Sequence, residues 1–199
     1  MHRRCLLTAA VVALLAIAAP AGAQTVELAG VKYPPTTPLA GGTLQLNGAG
    51  IRYKFVVKVY TAALYLGAKA ATPEAVLAQP GAKRMHVVML RDIDANELGK
   101  LFTRGMQDNV SREDFAKSIP GTLRMADIFQ AKKKLVAGDN FSVDWVPGRG
   151  TTVLVNGQPQ GEPIAEPEFF NALMMIWLGP RPADVALKDA LLGLQRPGS

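Results

Sequence analysis

One short segment carries the side chains best suited to binding an anion. Residues 48–67 read GAGIRYKFVVKVYTAALYLG, and Arg52, Lys54, Lys58 and Tyr60 fall at alternate positions. Successive side chains of a strand point to opposite faces, so these four would share one face. The other face would carry apolar and aromatic side chains: Ile51, Tyr53, Phe55, Val57 and Val59. Because a guanidinium stays charged and its planar fork matches a carboxylate or a phenolate, Arg52 is the candidate anion-binding group.

A second group of residues could surround an apolar ligand. Met174 and Met175 lie close in sequence to Phe169, Phe170 and Trp177. Methionine side chains adapt to irregular shapes, so this group could line a cavity. It could equally fill the core of the domain, just as Arg52 could pair with a surface acid.

Several classes of site have no support in the sequence. His86 is the only histidine after residue 23, and Cys5 is the only cysteine of the chain. The chain also has no phosphate loop, no glycine-rich dinucleotide turn and no nucleophile elbow. Asp94 and Glu97 are explained by helix capping rather than by carboxylate catalysis. We therefore expect neither a metal site nor a cofactor.

The amino terminus has the pattern of an export signal. A basic start, His2–Arg4, precedes an apolar stretch over residues 5–19, and Ala21-Gly22-Ala23 resembles a cleavage site. Removing Arg3 and Arg4, with no acid, would lower the formal charge of the 199-residue chain from +6 to +4. We predict a cleaved signal peptide over residues 1–23, a single domain over residues 24–199, and a periplasmic or secreted protein. The weak basic charge does not indicate a nucleic-acid partner, and no other apolar run is long enough to span a membrane.

The order of elements predicts an α+β domain with a largely antiparallel sheet. Strands are expected at residues 25–33, 43–47 and 83–91, and again at 141–146 and 151–155 around glycine-rich turns. The segment 48–67 would add one long strand or a strand pair. Helices are expected after Thr72, Asp94, Ser111 and Pro120, then at 167–177 and 183–192, with Pro34–Pro38 as a loop.

The spacing of Arg52 and Tyr60 leaves their relation open. On one straight strand the two residues, eight positions apart, would be separated by roughly 25 Å, too far for one ligand head. They can share a site only if the chain forms a tight hairpin or bends at a bulge near residues 55–58. No glycine or asparagine there predicts such a turn.

Three stretches make this sequence resemble the chalcone isomerase-like proteins, and in particular their exported bacterial branch. They are GAGIRYKFVVKVYTAALYLG at 48–67, VPGRGTTVLVNGQ at 146–158, and FFNALMMIWLGPRP followed by LKDALLG between 169 and 193. The resemblance implies an open-faced β-sandwich of chalcone isomerase type. In that fold a large antiparallel sheet packs against a helical layer, with a ligand cleft between them.

The resemblance implies two activities within one fold. Plant chalcone isomerases close a chalcone to a flavanone, whereas related plastid proteins bind fatty acids and lack that activity. Both carry an arginine where this chain has Arg52, within the same GAG-x-R pattern. An ungapped alignment places Tyr60 on a threonine that polarises the substrate carbonyl in the enzymes, with Thr61 next to it. The enzymes also carry a tyrosine in a Gly-Thr-Tyr-Gly sequence, and this chain has no tyrosine after Tyr65.

These observations favour a non-catalytic binding protein for a small amphipathic carboxylate, such as a fatty acid. Arg52 would pair with the head group, Tyr60 would donate a hydrogen bond, and Met174 and Trp177 would line the cleft. One alternative is a cofactor-independent isomerase of chalcone-like enones, with Arg52, Tyr60 and Thr61 as catalytic residues. Another alternative is a non-enzymatic protein that binds a protein partner.

Overall fold

Alternating apolar side chains organise seven strands of the chain into one large curled antiparallel sheet. The computed structural model describes residues 24–194, and within that range the chain forms eleven strands and five helices. The strands are β1 (Val26–Leu28), β2 (Val31–Tyr33), β3 (Thr36–Leu39), β4 (Gly42–Lys54), β5 (Val57–Leu66), β6 (Lys83–Met89), β7 (Ile93–Asp94), β8 (Lys134–Leu135), β9 (Asn140–Val146), β10 (Gly150–Val155) and β11 (Gln158–Pro159). The helices are α1 (Pro73–Ala78), α2 (Ala95–Gln107), α3 (Arg112–Lys132), α4 (Pro167–Leu178) and α5 (Val185–Leu191).

The main sheet has seven strands in the order β11-β10-β9-β6-β5-β4-β3, all paired antiparallel. Strands β1 and β2 form a separate hairpin, and β7 pairs with β8. Strands and helices therefore form the antiparallel α+β arrangement that the order of elements predicts, and the fold class is confirmed.

Both faces of the main sheet are covered, which explains why nearly every side chain of β5 is buried. Tyr60, Ala62, Leu64 and Leu66 face the large core, which includes side chains of all five helices. Ala63 and Tyr65 face a smaller cluster that contains Tyr33 of the β1–β2 hairpin. The alternation along β5 thus separates a helical side of the sheet from a hairpin side.

Helix starts agree well with the local sequence signals. The Thr72 side chain caps α1 by accepting a hydrogen bond from the Ala75 amide, and Pro73 follows it in the first turn. Asp94 caps α2 through the Glu97 amide. Both caps depend on residues within four positions, so short-range patterns were enough to predict them.

The prediction of a strand that ends at residue 47, before Gly48 and Gly50, was wrong. Strand β4 continues through both glycines to Lys54. A Cβ at Gly48 would lie 2.8 Å from the carbonyl oxygen of Leu191, and a Cβ at Gly50 would lie 2.7 Å from the Cβ of Ala190. The glycines are therefore needed because α5 packs directly on the strand.

The prediction of a helix break at Pro120 was also wrong, since α3 runs unbroken from Arg112 to Lys132. Pro120 lies on the exposed side, where the carbonyl group that loses its helical partner can bind water. Gly121, next to it, faces the neighbouring elements: a Cβ there would lie 2.5 Å from the Phe169 ring. Close packing of α3 on α4 maintains the helix across a local breaker.

Two predictions at the amino-terminal end also need correction. The single strand expected over residues 25–33 is the β1–β2 hairpin, which turns at Ala29-Gly30 with positive φ at both residues. The segment expected as a loop, Pro34–Pro38, overlaps β3 at the edge of the sheet.

The predicted signal peptide, residues 1–23, lies outside the described residues. Within residues 24–194, no helix is both long and apolar enough to cross a membrane.

Candidate functional site

A hairpin brings Arg52 and Tyr60 together. Strands β4 and β5 are joined by a two-residue turn at Phe55-Val56, and Arg52 lies directly opposite Tyr60 in the strand pair. The register shifts between Arg52 and Tyr53, as at a β-bulge. The guanidinium carbon of Arg52 lies 5.5 Å from the centre of the Tyr60 ring, within the range of a cation–π contact. The hairpin that a shared site requires is therefore present.

Tyr60 is a buried phenol that keeps its proton. Its side chain is 2% exposed, and its hydroxyl accepts a hydrogen bond of 2.9 Å from Nε1 of Trp177. Burial raises the pKa of Tyr60 to about 12, although the Arg52 cation and the Trp177 hydrogen bond act in the opposite direction. The phenol is therefore neutral at pH 7, and its hydrogen is not used in the bond with Trp177.

Arg52 is half-buried, and its Nε–H group has no hydrogen-bond acceptor among residues 24–194. A buried donor without an acceptor costs stability, and the cost is greater for a charged group. An anionic oxygen placed beside this edge of the guanidinium would remove that cost. Arg52 and Tyr60 thus provide two donors on the same face of one strand pair.

An apolar wall continues from Tyr60 into the helical layer. Trp177 and Met174 lie three residues apart on α4, and both side chains are fully buried. The ring of Phe102 on α2 packs edge-to-face against Trp177, with 5.7 Å between the ring centres. The structure therefore brings Trp177 into contact with Tyr60 and places Met174 in the same core.

A surface depression lies elsewhere, between α2 and α3. It has a volume of about 720 Å³ and is lined mainly by polar residues of α2 and α3: Asn96, Gly99, Lys100, Thr103, Arg104, Gln107, Asp108, Ala126 and Gln130. A second depression, of about 220 Å³, includes Arg124, Thr151 and Ile164. Neither includes Arg52 or Trp177. Both depressions are open and partly polar, so they offer little apolar enclosure for a ligand.

Thr61 is on the opposite face of β5 from Tyr60. Its hydroxyl accepts a hydrogen bond of 2.6 Å from the Tyr33 hydroxyl, on the hairpin side of the sheet. The backbone of the sheet therefore separates Thr61 from the helical side on which Tyr60 meets Trp177. Of the residues predicted for the site, Arg52, Tyr60 and Trp177 come together, whereas Thr61 does not join them.

Asp184 is a residue of this region that sequence reasoning missed. Its carboxylate caps α5 by accepting from the Leu187 amide, and it also accepts a hydrogen bond of 2.9 Å from the Tyr53 amide. One side chain thereby joins α5 to the hairpin beside Arg52. An aspartate before an apolar helix is a recognisable cap signal, but the predicted helix began at Ala183 and so included Asp184 in its first turn.

A polar cluster covers part of the hairpin side of the sheet. Arg84 on β6 forms two hydrogen bonds with Asp144 on β9, of 2.7 and 2.6 Å. Next to this pair, Nδ1 of His86 lies 2.7 Å from the Ser142 hydroxyl. The ring of Tyr33 packs edge-on against His86. These side chains form hydrogen bonds with one another, so the cluster has a structural role: it links neighbouring strands.

His86 should make the stability of the protein depend on pH. Burial lowers the pKa of His86, and the Arg84 cation lowers it further, while Asp144 acts in the opposite direction. The unfolded imidazole, with a pKa of about 6.5, therefore takes up a proton at a higher pH than the folded one. We expect stability from this source to be complete above pH ~6.5 and to fall below it. Thermal unfolding at pH 7, 6 and 5 should show a shallower decline for His86→Gln, and equal slopes would contradict this prediction.

The comparisons with known proteins agree with the fold. Residues 25–193 match the family described as Chalcone isomerase-like. The crystal structure of a protein described as an Arabidopsis thaliana fatty-acid binding protein is similar, with a TM-score of 0.65 and 13% sequence identity. The alignment covers 85% of this chain and 96% of that one. Among curated proteins, no significant relative was found.

The family match extends over nearly all of the described residues. It includes the hairpin with Arg52 and Tyr60, the polar cluster and the helices α4 and α5. The similar structure has the same arrangement of sheet and helices, and at its low identity it supports the fold alone. This protein belongs to the Chalcone isomerase-like family.

Proposed function

We propose that this protein binds a fatty-acid-like carboxylate, with its head group at Arg52 and Tyr60. The observation that carries the proposal is the buried Nε–H group of Arg52, which has no acceptor among the described residues. Beside it, the protonated phenol of Tyr60 has a hydrogen to donate. A carboxylate can accept from both groups, because an ionised carboxylate only accepts hydrogen bonds.

The acyl chain would lie along the apolar wall formed by Tyr60, Trp177, Met174 and Phe102. These side chains are fully or almost fully buried, so an acyl chain can enter only if they move apart. Methionine allows such movement, since its unbranched side chain has several accessible conformations. Each CH₂ group of the ligand that leaves water contributes about 0.8 kcal/mol, so a long tail can offset the rearrangement.

Binding accounts for the position of the polar groups better than catalysis does. An isomerase that uses both Arg52 and Thr61 on one substrate would need them on one face, and they lie on opposite sides of β5.

The proposal also includes export of the protein. The pattern of residues 1–23 supports a periplasmic or secreted location for this binding protein, as in an exported bacterial branch of the family.

Replacing Arg52 with methionine should weaken binding of an acid specifically. A charge-assisted hydrogen bond contributes about 1.5–3 kcal/mol, so we expect a loss of roughly ten- to 150-fold in affinity for palmitate. Affinity for the alcohol of the same chain length should change little. Trp145→Phe leaves Trp177 as the only tryptophan, since the chain has 2. Quenching of Trp177 by a brominated fatty acid then reports both affinity and position.

Arg149→Met is the matched control. It removes the same charge from an exposed arginine in the turn between β9 and β10, and it should bind palmitate as the parent protein does. Equal affinity of the parent protein for the acid and the alcohol would contradict a carboxylate site at Arg52. Absence of Trp177 quenching by a bound brominated acid would contradict the position proposed for the tail.

A further inference from the structure

The tip of the β4–β5 hairpin exposes an unusual amount of apolar surface. Phe55 and Val56 are 92% and 90% exposed, and Tyr53 and Val57 beside them are 39% and 42% exposed. Val185 is also exposed, directly after the Asp184 carboxylate that accepts from the Tyr53 amide. The hairpin tip is defined by these exposed side chains: Tyr53, Lys54, Phe55, Val56, Val57, Lys58 and Val185. A contiguous exposed apolar surface of this kind marks an interaction site, because these side chains do not pack in the core.

The turn at Phe55 is not the one that folding alone would favour. Phe55 has a φ of +56°, in the left-handed region that glycine adopts at no steric cost and bulky residues rarely adopt. A two-residue hairpin turn with positive φ at its first position normally favours glycine there. The chain instead places a large aromatic side chain at this strained position and exposes it to solvent. Strain of this kind points to a role for the side chain outside the fold.

The charges around the tip favour an anionic partner. Residues 51–60 contain three cations and no acid, and Lys54 and Lys58 are exposed on either side of Phe55-Val56. Lysine side chains can place their ammonium groups among lipid phosphates while their methylene groups remain in the apolar layer. Tyrosine likewise suits the boundary between lipid and water. We propose that the hairpin tip docks this protein on an anionic membrane surface, with Phe55 and Val56 inserted among the acyl chains.

Docking differs from ligand binding and does not depend on it. The tip would insert only a few side chains, so attachment would be reversible and would need both apolar contact and charge attraction. High salt should therefore weaken it, because salt screens the attraction between lysines and lipid phosphates. Uncharged vesicles should bind the protein less well than anionic vesicles of the same size.

Vesicle sedimentation with phosphatidylglycerol and phosphatidylcholine mixtures tests the proposal. Residues 24–199 are used, because the apolar stretch of residues 5–19 would itself bind lipid and both hydrophobic cores lie after residue 24. Phe55→Ser with Val56→Ser should lower the partition coefficient about tenfold or more, given the apolar area that leaves water. Lys54→Glu with Lys58→Glu should lower binding only to the anionic vesicles. Leu123→Ser, at a residue on α3 that is 62% exposed, should bind as the parent protein does.

Phe55→Gly separates docking from folding. Glycine adopts the positive φ of this turn without strain, so the melting temperature of the Phe55→Gly variant should equal or exceed that of the parent protein. Vesicle binding by the same variant should fall several-fold. When anionic vesicles are added, Phe55→Trp should show a blue shift of emission and quenching by brominated lipids that the parent protein, which has only Trp145 and Trp177, does not show. The proposal would be overturned if the parent protein bound anionic and uncharged vesicles equally well. It would also be overturned if the double serine variant and the double glutamate variant both bound anionic vesicles as the parent protein does. Dimerisation in solution that is lost in the serine variant would also overturn it, since the tip would then bind a second copy.

Discussion

Asp144→Asn should lower the free energy of unfolding by about 3 kcal/mol, because it removes the charged partner of the partly buried Arg84 guanidinium while keeping nearly the same shape. Asp144 is 3% exposed, and both of its oxygens accept hydrogen bonds from Arg84. The pair joins β6 to β9 near the centre of the sheet. For a domain of this size the loss corresponds to a fall of roughly 6–12 °C in melting temperature. Urea unfolding followed by circular dichroism measures it.

The control for this charge effect is Glu113→Gln on α3. Glu113 pairs with Lys117 at 2.8 Å, but both side chains are at least half exposed. An exposed pair of this kind contributes about 0.3–0.5 kcal/mol. Arg84→Met combined with Asp144→Leu should cost less than Asp144→Asn alone, because no charge remains buried without a partner. A loss below about 1 kcal/mol for Asp144→Asn would show that water replaces the carboxylate.

Gly48→Ala should destabilise the protein by about 3 kcal/mol, near the upper end of the usual cost of overpacking. A Cβ at this position would overlap the carbonyl oxygen of Ala190 and lie 2.8 Å from that of Leu191. These are backbone atoms of α5, so no side-chain rotation can relieve the contact. Either the helix moves away from β4 or the strand bends. We expect a reduced urea midpoint with an unchanged urea dependence.

Gly42→Ala on the same strand is the matched control. A Cβ there would have only one neighbour, the Leu39 carbonyl oxygen at an ordinary 3.6 Å. This substitution should leave stability unchanged or raise it by up to about 1 kcal/mol, since alanine restricts the unfolded chain. If Gly48→Ala were as stable as Gly42→Ala, close packing of α5 on β4 could not be the reason for glycine at position 48.

Local patterns predicted the elements whose causes are local. The β9–β10 hairpin and its continuation at Asn156-Gly157 follow from turn residues, and both residues of that turn have positive φ. The caps at Thr72 and Asp94 and the buried helix α4 were predicted for the same reason. A hydrophobic period or a capping side chain acts over a few residues, so a single sequence is enough to find it.

The candidate site depends on contacts between distant residues. The Nε1 group of Trp177 reaches Tyr60 across 117 positions of the chain, and Asp184 reaches the Tyr53 amide across 131. The turn at Phe55-Val56 contains neither glycine nor asparagine. It forms where Asp184 holds β4 on one side and β6 pairs with β5 on the other. Strand pairing therefore decides the turn against local preference.

From the sequence alone follow the antiparallel α+β class, the resemblance to the family and the choice of Arg52 as the candidate anion-binding residue. These depend on residue type, period and motif order. Tertiary structure decided that Arg52 faces Tyr60, that Thr61 faces the other side of the sheet, and that Gly48 serves helix packing. It also showed that the apolar residues at the hairpin tip lie in solvent. The reason is physical: the face and the neighbours of a strand residue depend on register, and register is determined by partners far away in the chain.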